Sequence, residues 1–208
     1  GLRPPKRIVD PRLSLHELRL RKSSEEVAVL RRAAEITAEA HIESMKTARP
    51  GVRENEIEAL INYTFRRRGG MGPGYTSIVG GGDNATILHY IENESELHDG
   101  DLLLIDAGCE YDFYTADVTR TFPVSGRFSE AQRRCYQVVL DAQVEAIAMT
   151  KPGATIDQLH DRCVETLTAG MIADTSMPVV PGHTPAAEKI LRVEIAQEHI
   201  GVGHRGML

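Results

Sequence analysis

Apolar positions along the chain fall into two rhythms, and the breaks between them outline the elements. After an entry segment over residues 1–22, Ser23-Ser24-Glu25-Glu26 forms a Ser-x-x-Glu capping box. Val27, Leu30, Ala34, Ala38, His41 and Met45 then recur at helical spacing. Pro50-Gly51 stops that helix, and a second helix follows with Ile57, Leu60, Ile61, Thr64 and Phe65 on one side, ending at Gly69-Gly70. Residues 69–84 are glycine-rich and read as loop, with a short strand over Tyr75–Val79. Further strands are expected at Thr86–Tyr90, Leu102–Glu110 and Phe113–Pro123. Ser129 with Gln132 opens another long helix, Pro152-Gly153 stops it, and Thr155 with Gln158 caps a fourth through Ile156, Leu159, Cys163 and Leu167.

The order helix, Pro-Gly, helix thus occurs twice, with the same punctuation in the same place. The first pair is followed by strands. After the second pair only residues 172–208 remain: a Pro/Gly segment, one helix from Thr184 to about His199, and a glycine-rich end. The expectation is an α+β chain that stops before a second sheet is built.

Composition narrows the class without naming it. The chain has 208 residues, 41% hydrophobic and 26% charged, ordinary for one globular domain. A net charge of −6 gives no support to nucleic-acid binding or an anionic membrane surface. No apolar run approaches the roughly 20 residues of a spanning helix. The basic, Pro-rich residues 1–10 have no apolar stretch and do not read as a signal peptide. Cys109, Cys135 and Cys163 are odd in number and far apart, which suits free thiols in a reducing, cytoplasmic setting. The Asn-x-Ser/Thr triplets at Asn84 and Asn93 therefore carry no weight as glycosylation sites. No Gly-Lys-Ser/Thr follows the glycine-rich stretch and no Gly-x-Ser-x-Gly is present, so neither a Walker-type loop nor a serine-hydrolase elbow is indicated. Arg66-Arg67-Arg68 suits the end of a helix.

Candidate chemistry lies in the strands. If Tyr111-Asp112 are the turn between them, residue 110 faces 113 and Asp106 lies opposite Asp117. Opposed side chains have Cβ atoms about 4.5–5.5 Å apart, and two like charges there are destabilising unless compensated. A shared proton would compensate them, and so would a divalent cation. The plainer alternatives are exposed polar positions or pairing with Arg120. Alternation puts Cys109 on the opposite face, as a core thiol.

Several motifs add a resemblance. Asp106-Ala107-Gly108 and, after seven residues, Ala116-Asp117-Val118-Thr119-Arg120-Thr121-Phe122-Pro123 resemble the first metal motif of the pita-bread metallopeptidases, which include aminopeptidase P, prolidase, methionine aminopeptidase and creatinase. Leu88-His89-Tyr90 with Asn93, His16–Ser23, Ala33–Ile36, Ser77–Gly80 and Phe122–Phe128 resemble the aminopeptidase P branch. The resemblance implies a pita-bread fold, of which residues 23–208 would supply the first half and the start of the second. It implies Asp106 and Asp117 as metal ligands, the latter bridging, and His89 as a catalytic residue contacting substrate. Gly203-His204 resembles the stretch carrying the ligand histidine, one residue short of a clean match, with His199 as an outer histidine. The two late glutamates of the family have no counterpart after His204.

The function implied is an Xaa-Pro aminopeptidase: release of the N-terminal residue from a peptide with proline second, by a hydroxide between two divalent ions, usually Mn²⁺. A truncated chain with weakened or lost activity is expected from the missing ligands. A non-catalytic peptide-binding module and a prolidase acting on dipeptides remain alternatives. A homo-oligomer is compatible with all three.

Overall fold

The computed structural model describes residues 10–173. The expected helix over 184–199 lies outside them. Residues 11–23 are expected from their basic, aperiodic sequence to be irregular, but Arg12–Leu20 forms helix α1. Helix α2, Ser24–Thr47, starts at the expected box, where Ser23 Oγ accepts from Glu26 N and Glu26 Oε2 accepts from Ser23 N. Helix α3 is Glu54–Arg67.

The buried face of α2 differs from the one its apolar rhythm predicts. Ala33, Ile36, Thr37, Ala40, His41 and Ser44 are buried, while Ala34 and Ala38 are exposed and Met45 is 41% exposed. Thr37 and Ser44 enter the core because each hydroxyl donates to the carbonyl four residues back, at 2.9 and 2.8 Å. That local bond removes the cost of burying a hydroxyl. Thr37 Oγ1 also accepts from Cys109 N at 2.9 Å, fastening the helix to a strand.

Two small antiparallel sheets follow. In one, β2 (Ile78–Gly81), β3 (Leu102–Ala107) and β6 (Val118–Pro123) lie in the order β2-β3-β6. In the other, β1 (Gly72–Pro73), β4 (Cys109–Tyr111) and β5 (Tyr114–Thr115) lie in the order β1-β4-β5. The expected strand at Thr86–Tyr90 is instead a 3₁₀ turn, Gly82–Thr86, followed by a bend. Ile87 and Leu88, whose apolarity suggested the strand, are each 50% exposed.

The back of the larger sheet packs on α2 and α3. Val79, Leu103, Ile105, Ala107 and Cys109 meet Ile36, Ala40, Ile57, Ile61 and Phe65 in one core. Each large side chain buried there contributes about 1.5–3 kcal/mol. Cys109 is fully buried in this layer, as alternation requires, and burial pushes its thiol up to about 11. Asn93 is also fully buried, its amide accepting from Val79 N and donating to Ser77 O, which leaves no room for a glycan. Helices α4 (Glu130–Met149) and α5 (Ile156–Ala173) begin at the expected caps and form a second, smaller core from Ala142, Ala146, Cys163 and Leu167.

Between β4 and β5 the turn residues are Asp112 and Phe113, with φ of 48° and 65°. Two left-handed residues in a two-residue loop match the twist of the flanking strands, a setting that favours glycine second. Phe113 is 81% exposed, so its ring repays little of the backbone strain. Phe113→Gly is expected to raise stability by about 1 kcal/mol, read as a higher midpoint in urea unfolding at unchanged slope.

His41 supplies a pH prediction. It is 3% exposed, with Nδ1 3.0 Å from Thr37 O. Burial holds its pKa below the ordinary 6.5, opposed by the Thr37 carbonyl and reinforced by the charge of Arg120. The unfolded chain therefore binds a proton that the folded chain resists, and stability falls as pH drops below about 6.5. Wild type should lose more stability than His41→Gln between pH 7 and roughly 5 in paired denaturation curves; equal slopes would refute the assignment.

Candidate metal centre

Asp106 sits near the end of β3 and is fully buried; Asp117 immediately precedes β6 and is half-buried. They do not face each other in the expected register. The pairs are Tyr111 with Tyr114, Glu110 with Thr115, Ala107 with Val118 and Asp106 with Thr119. The turn lies one residue later than Tyr111-Asp112, at Asp112-Phe113, which shifts every pair by two. A shift of two preserves the face, so Asp117 remains on the side of Asp106 as a diagonal neighbour.

What brings the carboxylates together is a residue the sequence reading passed over. The Tyr75 hydroxyl lies 2.6 Å from Asp106 Oδ1 and 3.1 Å from Asp117 Oδ1. Tyr75 is in the loop between β1 and β2. Burial, then the charge and hydrogen bond of Asp106, then those of Asp117, raise its pKa far above the ordinary 10.0. The phenol therefore keeps its proton and remains a donor. Its single proton lies between two carboxylates, a grouping of hard oxygen atoms that a divalent cation would favour. The glycine-rich run before Tyr75 marks a loop but not a site, and Asp106 is 31 positions away.

The backbone here leaves little freedom. A Cβ at Gly108 would lie 1.7 Å from Ala116 O and 3.0 Å from a ring carbon of Tyr75. Arg120 pairs in register with Ile105 and so stands on the other face of the sheet from Asp106.

The other candidates are more scattered. His89 lies in the bend after the 3₁₀ turn, solvent-exposed, with φ of 56°. Its neighbour Tyr90 is buried in a small cluster with Ile78 and Leu104. Ile78 pairs with Asp106, and Leu104 is two residues from it, so this loop overlies the face that carries Asp106. His204 and His199 lie outside the described residues. Two carboxylates meeting at one phenol are hard oxygen donors and fit a divalent cation. Among the described residues no group of three or more His, Cys, Asp or Glu completes such a site.

Residues 28–204 match the model of metallopeptidase family M24. The chain belongs to this family. It is 48% identical over 172 residues to the Xaa-Pro aminopeptidase of Escherichia coli strain K12, a match covering 83% of the chain and 39% of that relative. The M24 chain thus spans about two fifths of the length of the curated relative it matches. A proline aminopeptidase P II from Yersinia pestis superposes with a TM-score of 0.82 at 45% identity, over 92% of the chain and 43% of that protein. A zinc-substituted Escherichia coli aminopeptidase P in complex with product gives 0.81 at 43%, over 91% and 42%. The fold is accordingly the pita-bread fold of aminopeptidase P, present as a partial domain. Among the described residues no helix is long and apolar enough to cross a membrane.

Tyr75→Phe removes the shared donor and keeps the ring. It is expected to weaken divalent-metal binding about tenfold in calorimetric titration, the range for a hydrogen bond that orients a ligand. An unchanged affinity would show that the phenol plays no part in ordering the carboxylates.

Proposed function

We propose that this chain carries part of the catalytic centre of a metal-dependent Xaa-Pro aminopeptidase, which releases the N-terminal residue from peptides with proline second. The observation that carries the reading is the convergence of Asp106 and Asp117 on the Tyr75 hydroxyl, in a chain 48% identical to an enzyme of that name. Asp106 and Asp117 would hold the divalent metal, with His204 as a further ligand. Manganese is the proposed metal, as the resemblance to aminopeptidase P implies, and the carboxylate donors suit it.

When bound, such ions supply Lewis acidity at the scissile carbonyl and a lowered pKa for the attacking water. The residues of this chain do the positioning. Tyr75 restrains the carboxylates from one side, and the close approach at Gly108 keeps the backbone from relaxing. His89, exposed on the loop over the same sheet face, would hydrogen-bond the substrate and hold it against the carboxylates. A cytoplasmic location and a peptide substrate complete the proposal. Residues 1–22 act as the entry segment, and the catalytic domain starts at residue 23.

A second reading has one observation in its favour: among the described residues no third ligand joins the pair. On that reading the chain is a peptide-binding module without catalysis.

Hydrolysis of an Xaa-Pro peptide with and without Mn²⁺ separates them. The enzyme reading expects metal-dependent release of the N-terminal residue, lost on chelation. Asp117→Ala should lower the rate by at least about a hundredfold, as expected when a carboxylate ligand is removed. A rate in Asp117→Ala equal to that of the parent would sink the assignment, and failure to bind Mn²⁺ at all would favour the module.

A further inference from the structure

We infer that Glu54 is a positioning residue that sets the conformation of the loop carrying His89. Glu54 opens α3 and is fully buried, yet its carboxylate is anchored by four donors from the segment 81–95. Oε1 accepts from Gly81 N at 2.8 Å and Asn84 Nδ2 at 3.0 Å. Oε2 accepts from Tyr90 OH at 2.8 Å and Ser95 N at 2.9 Å. The start, middle and end of one loop therefore meet on one side chain. The first turn of α3 places helix N–H dipoles beside the negative charge, which favours it there.

Apolar burial cannot hold this loop. Ile87, Leu88 and Ile91 are 50%, 50% and 53% exposed, and Tyr90 is its one large buried apolar side chain. The Tyr90 hydroxyl bonds Glu54 while its ring packs on Ile78 and Leu104, on the sheet face that carries Asp106. His89 directly precedes Tyr90 and takes a left-handed φ of 56°, a conformation costly for a side chain bearing Cβ. The bonds to Glu54 on either side, at residues 84 and 90, offset that cost. Asn84 Nδ2 extends the network to Tyr90 OH and Ser95 Oγ, both at 3.0 Å. A carboxylate is needed because only an acceptor with two oxygens, each with two lone pairs, serves four donors.

The inference rests on the role of His89 proposed above, and its test separates the two. Glu54→Gln keeps the shape, removes the charge and turns one acceptor into a donor. Hydrogen exchange of the protein is expected to quicken at least about tenfold over residues 81–95, His89 included, with β3 and β6 still protected. With Mn²⁺ and an Xaa-Pro peptide, kcat should fall about tenfold with KM changed less than about twofold. In a His89→Ala background the same substitution should cost nothing further, because the residue it positions is gone. Unchanged exchange at His89, general loosening of β3 and β6, or additive losses in the double variant would each overturn the inference. If the parent protein has no peptidase activity, the proposed function fails, and exchange at His89 alone decides whether Glu54 holds it.

Discussion

The site depends on a backbone crossing at Gly108. The Ala116 carbonyl occupies the space where any other residue would carry its Cβ. This contact divides what would be one long hairpin into two sheets, with β3 and β6 on one side and β4 and β5 on the other. Asp106 precedes the crossing on one strand and Asp117 follows it on the other. The fold brings two carboxylates together around one phenol, an arrangement that a divalent cation would stabilise. The back of the same sheet supplies the compensating stability, through Ile105, Ala107 and the α2–α3 layer.

The parts of this design that are local could be read from the sequence. Each cap at Ser23, Ser129 and Thr155 is a contact between residues three apart, and each forms. The motif around Asp106 and Asp117 was legible because it is a contiguous string whose face assignment survives a shift of two. The turn position was not, because Asp112-Phe113 adopts left-handed geometry without a glycine to announce it. The face of α2 was misplaced because Thr37 and Ser44 satisfy their hydroxyls internally and so behave as core residues. The bend at His89 replaces the expected strand because its shape is set by Glu54, a remote residue that no local window contains. Tyr75 went unseen for the same reason.

Membership of family M24 and the partial pita-bread fold agree with this division. The matched relatives are more than twice as long, and among the described residues no group of three or more His, Cys, Asp or Glu could hold a metal ion. The repeat of helix, Pro-Gly, helix is borne out as α2–α3 and α4–α5. Only the first pair has a sheet among the described residues; the second packs on itself through Ala142, Ala146, Cys163 and Leu167.

The loop over residues 81–95 meets Glu54 at residues 81, 84, 90 and 95. Such a loop cannot change length piecemeal. An insertion between any two of those points pulls at least one donor from a buried carboxylate and leaves charge underserved. Side chains that stand exposed between the fastenings, Ile87, Leu88 and Ile91 among them, can change in chemistry while the contour of the loop stays fixed.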